Sequence, residues 1–174
     1  MTVLNLGDST LSWESSSPEE TLRLGEELGR LLAPGDVVAL SGELGSGKTV
    51  LTRGIAEGMG CPGADVHSPT FTLVNEYRGE GAGAPRLAHL DLYRIHSEDE
   101  VPGLGWDEYL GRRHVTVVEW AERASGYLPR DLLRVTILPL DETRRRVSVQ
   151  ATGPRAERIV REWLRRSGRN PHLD

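Results

Sequence analysis

The chain contains the stretch Gly42-Glu43-Leu44-Gly45-Ser46-Gly47-Lys48-Thr49, which matches the G-x-x-x-x-G-K-[ST] pattern of a phosphate-binding loop. Residues 36–41 before it are mainly apolar and predict a buried strand, and Leu51 and Ile55 after it lie at helical spacing. A strand, a glycine-rich loop and a helix therefore follow one another, as in proteins that hold phosphate at the start of a helix.

The residue types of this loop fit the chemistry of phosphate binding. Glycines at positions 42, 45 and 47 let backbone N–H groups approach phosphate oxygens without a Cβ atom in the way. We expect Lys48 to reach the β- and γ-phosphates and the Thr49 hydroxyl to bind Mg²⁺. The sequence thus predicts ATP and Mg²⁺ as the ligands of residues 42–49.

The use of basic residues supports this prediction independently. The chain has 20 arginines and one lysine, and that lysine is Lys48. A site on the surface accepts either lysine or arginine, whereas a closed phosphate loop needs the compact charge of the lysine ammonium group. The lysine count also excludes the N-K-x-D element by which many GTPases recognise guanine, because a second lysine is absent from the sequence.

The remaining pattern predicts one α/β domain over residues 1–174, with a core of about 18–153. Ser17, Pro18 and Glu20 predict a capping box at the start of a helix. The apolar periodicity predicts further elements: an antiparallel hairpin of strands 70–78 and 87–95, a short helix at 106–110, a central strand at 115–120, a strand pair at 132–138 and 146–151, and a basic helix at 155–166. We expect a P-loop NTPase fold with a mixed central sheet, the hairpin beside the phosphate loop, and flanking helices.

Composition limits the class of protein. The sequence has no run of about 18 apolar residues and its first residues do not resemble a secretory signal, so we expect a cytoplasmic protein without a membrane partner. The single cysteine, Cys61, cannot form an internal disulfide and is predicted to be a packed residue.

Charge is distributed unevenly along the chain. Residues 1–110 hold 7 basic and 18 acidic residues (−11), whereas residues 111–174 hold 14 basic and 8 acidic residues (+6). Such a basic segment indicates either a solvated surface, which we favour, or a face for nucleic acid or a partner. The run Arg144-Arg145-Arg146 has the same two interpretations, first a solvated turn and second an RNA or partner contact.

Two acidic residues directly follow apolar runs that predict strands. Asp91 follows residues 87–90, and Glu119 follows the more continuous run 115–118. A P-loop enzyme needs one carboxylate near Mg²⁺ and another group to position the attacking water. We therefore assign Glu119 to Mg²⁺ and Asp91 to water positioning or general base catalysis.

Other polar and aromatic residues leave alternatives open. Thr70, in Ser68-Pro69-Thr70, could sense the γ-phosphate as switch loops do, or could belong to an ordinary turn. Trp120 could be a core residue or could lie near the nucleotide. The histidines lack metal-ligand spacing, so we interpret them as structural or surface residues: His67, His89 and His96.

Taken together, these motifs resemble the TsaE family, the ATPase component of bacterial tRNA threonylcarbamoyladenosine synthesis. The resemblance extends over roughly residues 18–120. It is carried by residues 42–49, Leu-Thr-Arg-Gly at 51–54, Ser-Pro-Thr-Phe-Thr-Leu-Val at 68–74, His-Leu-Asp-Leu-Tyr-Arg at 89–94 and Val-Glu-Trp at 118–120. The phosphate loop is widespread among nucleotide-binding proteins, whereas the later motifs in this order are specific to the family.

The resemblance implies that ATP turnover serves a complex of the TsaD and TsaB proteins, in which TsaD transfers a threonylcarbamoyl group to an adenosine beside the tRNA anticodon. This chain would reset the complex between turnovers and would meet tRNA indirectly or through its basic C-terminal segment. By the same resemblance, Lys48 and Thr49 are the P-loop pair, Thr70 is a catalytic switch residue, Asp91 is the catalytic carboxylate and Glu119 is the Mg²⁺ ligand. Trp120 also joins the nucleotide site.

The sequence departs from the family pattern in three places. Val50 replaces a frequent second threonine, so a hydroxyl group beside the nucleotide is lost. Pro102 and Gly103 interrupt a stretch that is more helical in relatives, and the basic tail after Gly153 matches no family motif.

Two other functions remain open from the residues alone. A small-molecule kinase begins with the same loop, although the sequence shows no insertion for an acceptor pocket or lid. A nucleotide sensor would bind ATP and change its affinity for a partner without significant hydrolysis.

Overall fold

A computed structural model of the chain describes residues 10–69 and 73–173. Its strands are β1 (Leu11–Ser15), β2 (Val37–Ser41), β3 (Val74–Arg78), β4 (Arg86–Asp91), β5 (Val115–Glu119), β6 (Leu133–Pro139), β7 (Arg145–Ala151) and β8 (His172–Leu173). Its α-helices are α1 (Pro18–Gly29), α2 (Lys48–Gly58), α3 (Trp106–Tyr109) and α4 (Pro154–Ser167), and 3₁₀ turns cover Gly63–Asp65, Glu98–Leu104 and Ala121–Tyr127. Among the described residues, no helix combines the length and the apolar character needed to cross a membrane.

One mixed sheet organises these elements, in the order β3-β4-β5-β2-β6-β7-β1-β8. The four strands β4, β5, β2 and β6 run parallel, and the outer strands pair antiparallel. Every residue of β5 is buried, as expected for a parallel strand covered on both faces. The predicted α/β fold, mixed sheet and β3–β4 hairpin are confirmed.

Two apolar cores lie on opposite faces of the sheet. One core joins α1, α2 and α4 to the sheet, and the other lies beneath α3 and the 3₁₀ turns Glu98–Leu104 and Ala121–Tyr127. Side chains alternate between the faces of a strand. Val117 of β5 and Leu87 of β4 belong to the α1–α2 core, so alternation places Glu119 and Asp91 on that same face, which α2 covers.

The predicted returning strand, residues 87–95, is wrong in its last four residues. β4 ends at Asp91, because Asp91 Oδ1 accepts a hydrogen bond of 2.9 Å from the Tyr93 N–H and turns the chain. The Leu92 N–H donates to the Glu119 carbonyl (3.1 Å), which ties the ends of β4 and β5 together.

Other boundaries differ by smaller amounts. The strand predicted at 70–78 begins at Val74, since Leu73 has a positive φ of 66°, and residues 70–72 lie outside the described part of the chain. The central strand ends at Glu119, because Trp120 has a positive φ of 57°. The strands β1 and β8 are not predicted from the sequence, because β1 pairs with β7 and β8 pairs with β1, and both partners lie far away in sequence.

The start of α1 differs from a capping box. Ser17 Oγ accepts the Glu20 N–H (3.2 Å), as predicted. The Glu20 carboxylate, however, accepts the N–H (2.8 Å) and the hydroxyl (2.6 Å) of Ser16 rather than bonding back to Ser17. These hydrogen bonds lower the pKa of Glu20.

Cys61 is buried at 3 % exposure, which confirms that it is a packed residue. Burial raises the pKa of its thiol, because a thiolate is poorly solvated inside the protein. This environment opposes the nucleophilic chemistry of a thiolate.

Glycines hold α1 directly against the phosphate-loop helix α2. A Cβ atom added to Gly54 would overlap the Leu22 carbonyl oxygen, and one added to Gly25 would overlap the Leu51 carbonyl oxygen. These neighbours are helix backbone, which cannot yield as a flexible side chain can. The glycines therefore set the distance between α1 and α2.

We expect Gly54→Ala to lower the free energy of unfolding by about 3 kcal/mol, the upper end of the usual cost of overpacking. Urea denaturation of both proteins measures this difference. Gly103→Ala is the matched control, because a Cβ atom at exposed Gly103 meets open space and should change stability by no more than about 0.5 kcal/mol. Equal stability of the two variants would contradict the role given to the α1–α2 contact.

Candidate functional site

The predicted site residues that the structure describes lie around one region at the carboxyl ends of the parallel strands. A cavity of about 720 Å³ opens there between the phosphate loop and the ends of β4 and β5. Its lining comprises Glu43, Leu44, Gly45, Gly47, Lys48, Thr49, Val50, Ser68, Asp91, Tyr93, Glu119 and Trp120. Gly42 lines an adjacent cavity of about 330 Å³, and Ser46 is buried inside the loop.

The loop has the backbone that its glycines predict. Gly45 and Gly47 have φ values of 76° and 107°, which strongly favour glycine. At Gly42 a Cβ atom would lie 2.5 Å from Ser46 Oγ and 2.8 Å from the Ile137 carbonyl oxygen, so close packing requires glycine there. The first N–H groups of α2 have no partner within the helix, which makes them suitable for an anion.

Lys48 is folded back onto the loop and is only 7 % exposed. Its Nζ donates to the Gly42 carbonyl at 2.7 Å and to the Glu43 carbonyl at 2.9 Å. An ammonium group has three donors, so these two bonds fix its position and leave one donor for a ligand. The lysine is thus held where a phosphate bound by the loop would meet it.

Asp91 and Glu119 are register partners on the parallel strands β4 and β5. Each is 3 % exposed, and each lines the cavity. Two carboxylates and one ammonium group line the same cavity, so negative charge is in excess there, which suits a divalent cation. Among the residues described, no group of three or more His, Cys, Asp or Glu side chains could hold a metal ion. This arrangement fits Mg²⁺, which usually binds through one or two protein oxygens together with phosphate and water.

Trp120 forms a wall of the cavity, although it also packs against the second core. Its ring centroid lies 5.1 Å from that of Tyr93 and 6.0 Å from Lys48 Nζ. The Arg123 guanidinium lies 5.5 Å from the Trp120 ring and donates to the Tyr93 carbonyl (2.5 Å) and the Ile95 carbonyl (2.6 Å). Arg123 therefore links the turn after β4 to Trp120, a role that nothing in the local sequence indicated.

The sequence predicts that His89 is a structural or surface residue, and the structure buries it completely. Its Nε2 lies 2.8 Å from Oε1 of Glu119. A search of the sequence for the spacing of metal ligands could not reveal this contact. His89 is not itself assigned to the metal but contacts Glu119, the residue that is. Strand alternation was the available signal, since it places His89 and Asp91 on one face of β4. The other two histidines considered, His67 and His96, are exposed.

Arg145 corrects the interpretation of residues 144–146 as a solvated turn. Its Nε donates to the Ser46 carbonyl of the phosphate loop at 2.9 Å, and its Nη1 donates to the Asp141 carbonyl at 2.8 Å. Arg144 pairs with Asp141 at 2.6 Å, and Arg146 pairs with Glu14 at 3.2 Å. The first residue of β7 thus holds the phosphate loop through the Ser46 carbonyl. Thr70, the remaining predicted catalytic residue, lies outside the described residues.

Ion pairs within the chain engage much of the basic C-terminal segment. Arg155 pairs with Asp36 at 2.8 Å, and Arg169 pairs with Glu20 (3.2 Å) and Glu27 (3.3 Å). Two further arginines pair with Glu162 and lower its pKa to about 2: Arg165 and Arg166. These contacts favour the interpretation of a solvated surface over that of a nucleic-acid face.

Comparisons with known proteins agree with the geometry. A family model described as "Threonylcarbamoyl adenosine biosynthesis protein TsaE" matches residues 15–147. The chain is 39 % identical over 155 residues to the tRNA threonylcarbamoyladenosine biosynthesis protein TsaE of Bacillus subtilis, covering 89 % of this chain and 94 % of the relative. It is 48 % identical over 115 residues to the protein of the same name from Streptomyces coelicolor, covering 66 % and 76 % of the two chains. The crystal structure of Bacillus subtilis YdiB superposes with a TM-score of 0.71 at 32 % identity, covering 91 % of this chain and 96 % of YdiB.

Proposed function

This chain belongs to the TsaE family of tRNA threonylcarbamoyladenosine biosynthesis proteins, and we propose that it binds Mg·ATP and hydrolyses it to support turnover of a TsaD–TsaB complex. The observation that carries the proposal is the meeting of the phosphate loop with two buried, register-paired carboxylates at one cavity. A phosphate loop alone would support binding, and the carboxylates add the means for hydrolysis.

Phosphate binding is assigned to the loop and the start of α2. The loop's N–H groups would face the phosphates, except that of Ser46, which donates to the Glu43 carbonyl at 3.0 Å. Lys48 would give its remaining donor to a β- or γ-phosphate oxygen. Arg145 and Gly42 keep the loop in shape, since one bonds the Ser46 carbonyl and the other packs against Ser46 Oγ. Trp120 closes one side of the cavity.

Hydrolysis is assigned to the side chains at the strand ends. The Thr49 hydroxyl and Glu119 would hold Mg²⁺, which when bound neutralises charge on the phosphate oxygens. Asp91 orients a water molecule and accepts its proton as the water attacks the γ-phosphorus, while the bond from that phosphorus to the β–γ bridging oxygen breaks and ADP leaves. The Tyr93 N–H holds Asp91 Oδ1, which fixes the direction of this carboxyl group.

The proposal is tested by reconstituting the modification with TsaD, TsaB, tRNA and a threonylcarbamoyl donor. We expect each TsaD–TsaB complex to modify more than one tRNA only when this chain and Mg·ATP are both present. Equal numbers of turnovers with and without the chain would contradict the proposed role. A binding titration with ATP identifies the ligand separately, because it does not require the partner proteins.

A further inference from the structure

Two histidines of this chain form the same contact in different places. His89 Nε2 lies 2.8 Å from Oε1 of Glu119 beside the cavity, and His114 Nε2 lies 2.8 Å from Oε1 of Glu76 at the opposite end of the parallel strands. Both imidazoles are almost completely buried, at 0 % and 2 % exposure. Their carboxylate partners differ, since the Glu76 side chain is 53 % exposed and the Glu119 side chain is 4 % exposed.

The hydrogen bond between His89 and Glu119 bears on two features of the site: which ring nitrogen of His89 carries a proton, and the direction of the Glu119 carboxyl group. A glutamate that binds Mg²⁺ is a carboxylate and carries no proton, so in that role of Glu119 the hydrogen bond is donated by Nε2 of His89. Nδ1 of His89 has no hydrogen-bond partner among residues 10–69 and 73–173, so the contact to Glu119 is the only hydrogen bond of the ring there. One carboxylate oxygen is therefore occupied, and the other is left for the cavity that Glu119 lines.

We propose that His89 is a positioning residue that holds Glu119 in the orientation needed to bind Mg²⁺ together with ATP. The inference rests on the proposed function, because it concerns the same site. A buried glutamate side chain has several rotatable bonds, and a single fixed partner removes most of that freedom before the cation arrives. Groups that hydrogen-bond to a metal ligand and orient it typically contribute about 10- to 100-fold to metal affinity.

Two substitutions distinguish a positioning role of His89 from a role in packing alone. His89→Leu keeps an apolar side chain of similar size in the core and removes the donor. His89→Gln keeps a donor in the position of Nε2. A merely structural histidine would be replaced as well by leucine as by glutamine, whereas a positioning histidine would be replaced only by glutamine.

The test measures ATP affinity by calorimetric titration in EDTA and again in excess Mg²⁺. The ratio of the two dissociation constants reports how strongly Mg²⁺ and ATP favour each other's binding, and it requires no turnover. We expect His89→Leu to reduce the Mg²⁺-dependent gain about 10-fold and to leave affinity in EDTA unchanged. His89→Gln should restore most of the gain. His114→Leu is the matched control and should leave the ratio at the wild-type value.

The outcomes distinguish the inference from the proposed function. If wild-type protein binds no ATP, the proposed function is wrong and the inference falls with it. If wild-type protein shows the Mg²⁺-dependent gain and His89→Leu shows the same gain, only the role of His89 is wrong. Equal losses in His89→Leu and His89→Gln, with wild-type melting temperatures, would also overturn it, since the donor would then be irrelevant.

Discussion

Lys48→Ala is expected to weaken ATP binding by about 10- to 100-fold. A hydrogen bond to a charged group contributes about 1.5–3 kcal/mol, and a loss of about 2.8 kcal/mol corresponds to a factor of 100 in the dissociation constant. The ammonium group is already held by the Gly42 and Glu43 carbonyls, so its loss removes a preorganised donor. Calorimetric titration with Mg·ATP measures the change.

Lys48→Arg is a sharper variant, because it keeps the positive charge. The two carbonyl contacts of 2.7 and 2.9 Å enclose a compact group, and the planar guanidinium has a different shape. We expect arginine not to restore binding. Arg158→Ala, which removes an exposed charge from α4, is the control and should bind ATP normally. Strong ATP binding by Lys48→Ala would show that the loop is not the phosphate site.

Asp91→Asn should leave ATP bound and reduce hydrolysis by about 100- to 10,000-fold, the usual contribution of a general base. Asparagine keeps an oxygen that can accept the Tyr93 N–H, so the turn after β4 is retained. The substitution removes the charge and the basicity and changes the shape very little. Phosphate release under single-turnover conditions measures the chemical step, and a binding titration shows that the nucleotide is still held.

Asp99→Asn provides the comparison for Asp91→Asn. Asp99 is an exposed aspartate in the Glu98–Leu104 turn, and its substitution should alter neither binding nor hydrolysis. An Asp91→Asn protein that hydrolyses ATP at the wild-type rate would remove Asp91 from the mechanism. It would also leave the nucleotide sensor as a serious alternative, since a sensor needs no such carboxylate.

The parts of the fold that the sequence predicts are those with strong local signals. The loop at 42–49 and the apolar runs before Asp91 and Glu119 each carry a complete local pattern. The need of a P-loop enzyme for carboxylates near Mg²⁺ and the attacking water predicts a role for both strand-end carboxylates, and the structure places them in register. Local chemistry and fold geometry agree at these positions.

The parts that were missed depend on contacts between distant residues. Arg145 reaches the Ser46 carbonyl across 99 positions, and His89 reaches Glu119 across 30. No local pattern marks an arginine that bonds a loop carbonyl or a histidine that supports a carboxylate. The early end of β4 has a local cause, the turn made by Asp91. The sequence does not reveal it, because apolar residues continue to alternate past Asp91 at Leu90 and Leu92.

The most direct test is phosphate release from Mg·ATP by this protein alone and then with purified TsaD and TsaB. We expect slow hydrolysis by the protein alone and a rate with both partners well above the sum of the separate rates. Asp91→Asn should remain inactive in both conditions. An unchanged rate with the partners present, in a protein that still binds ATP, would contradict partner-coupled hydrolysis and favour a sensor or a phosphoryl transfer to a small molecule.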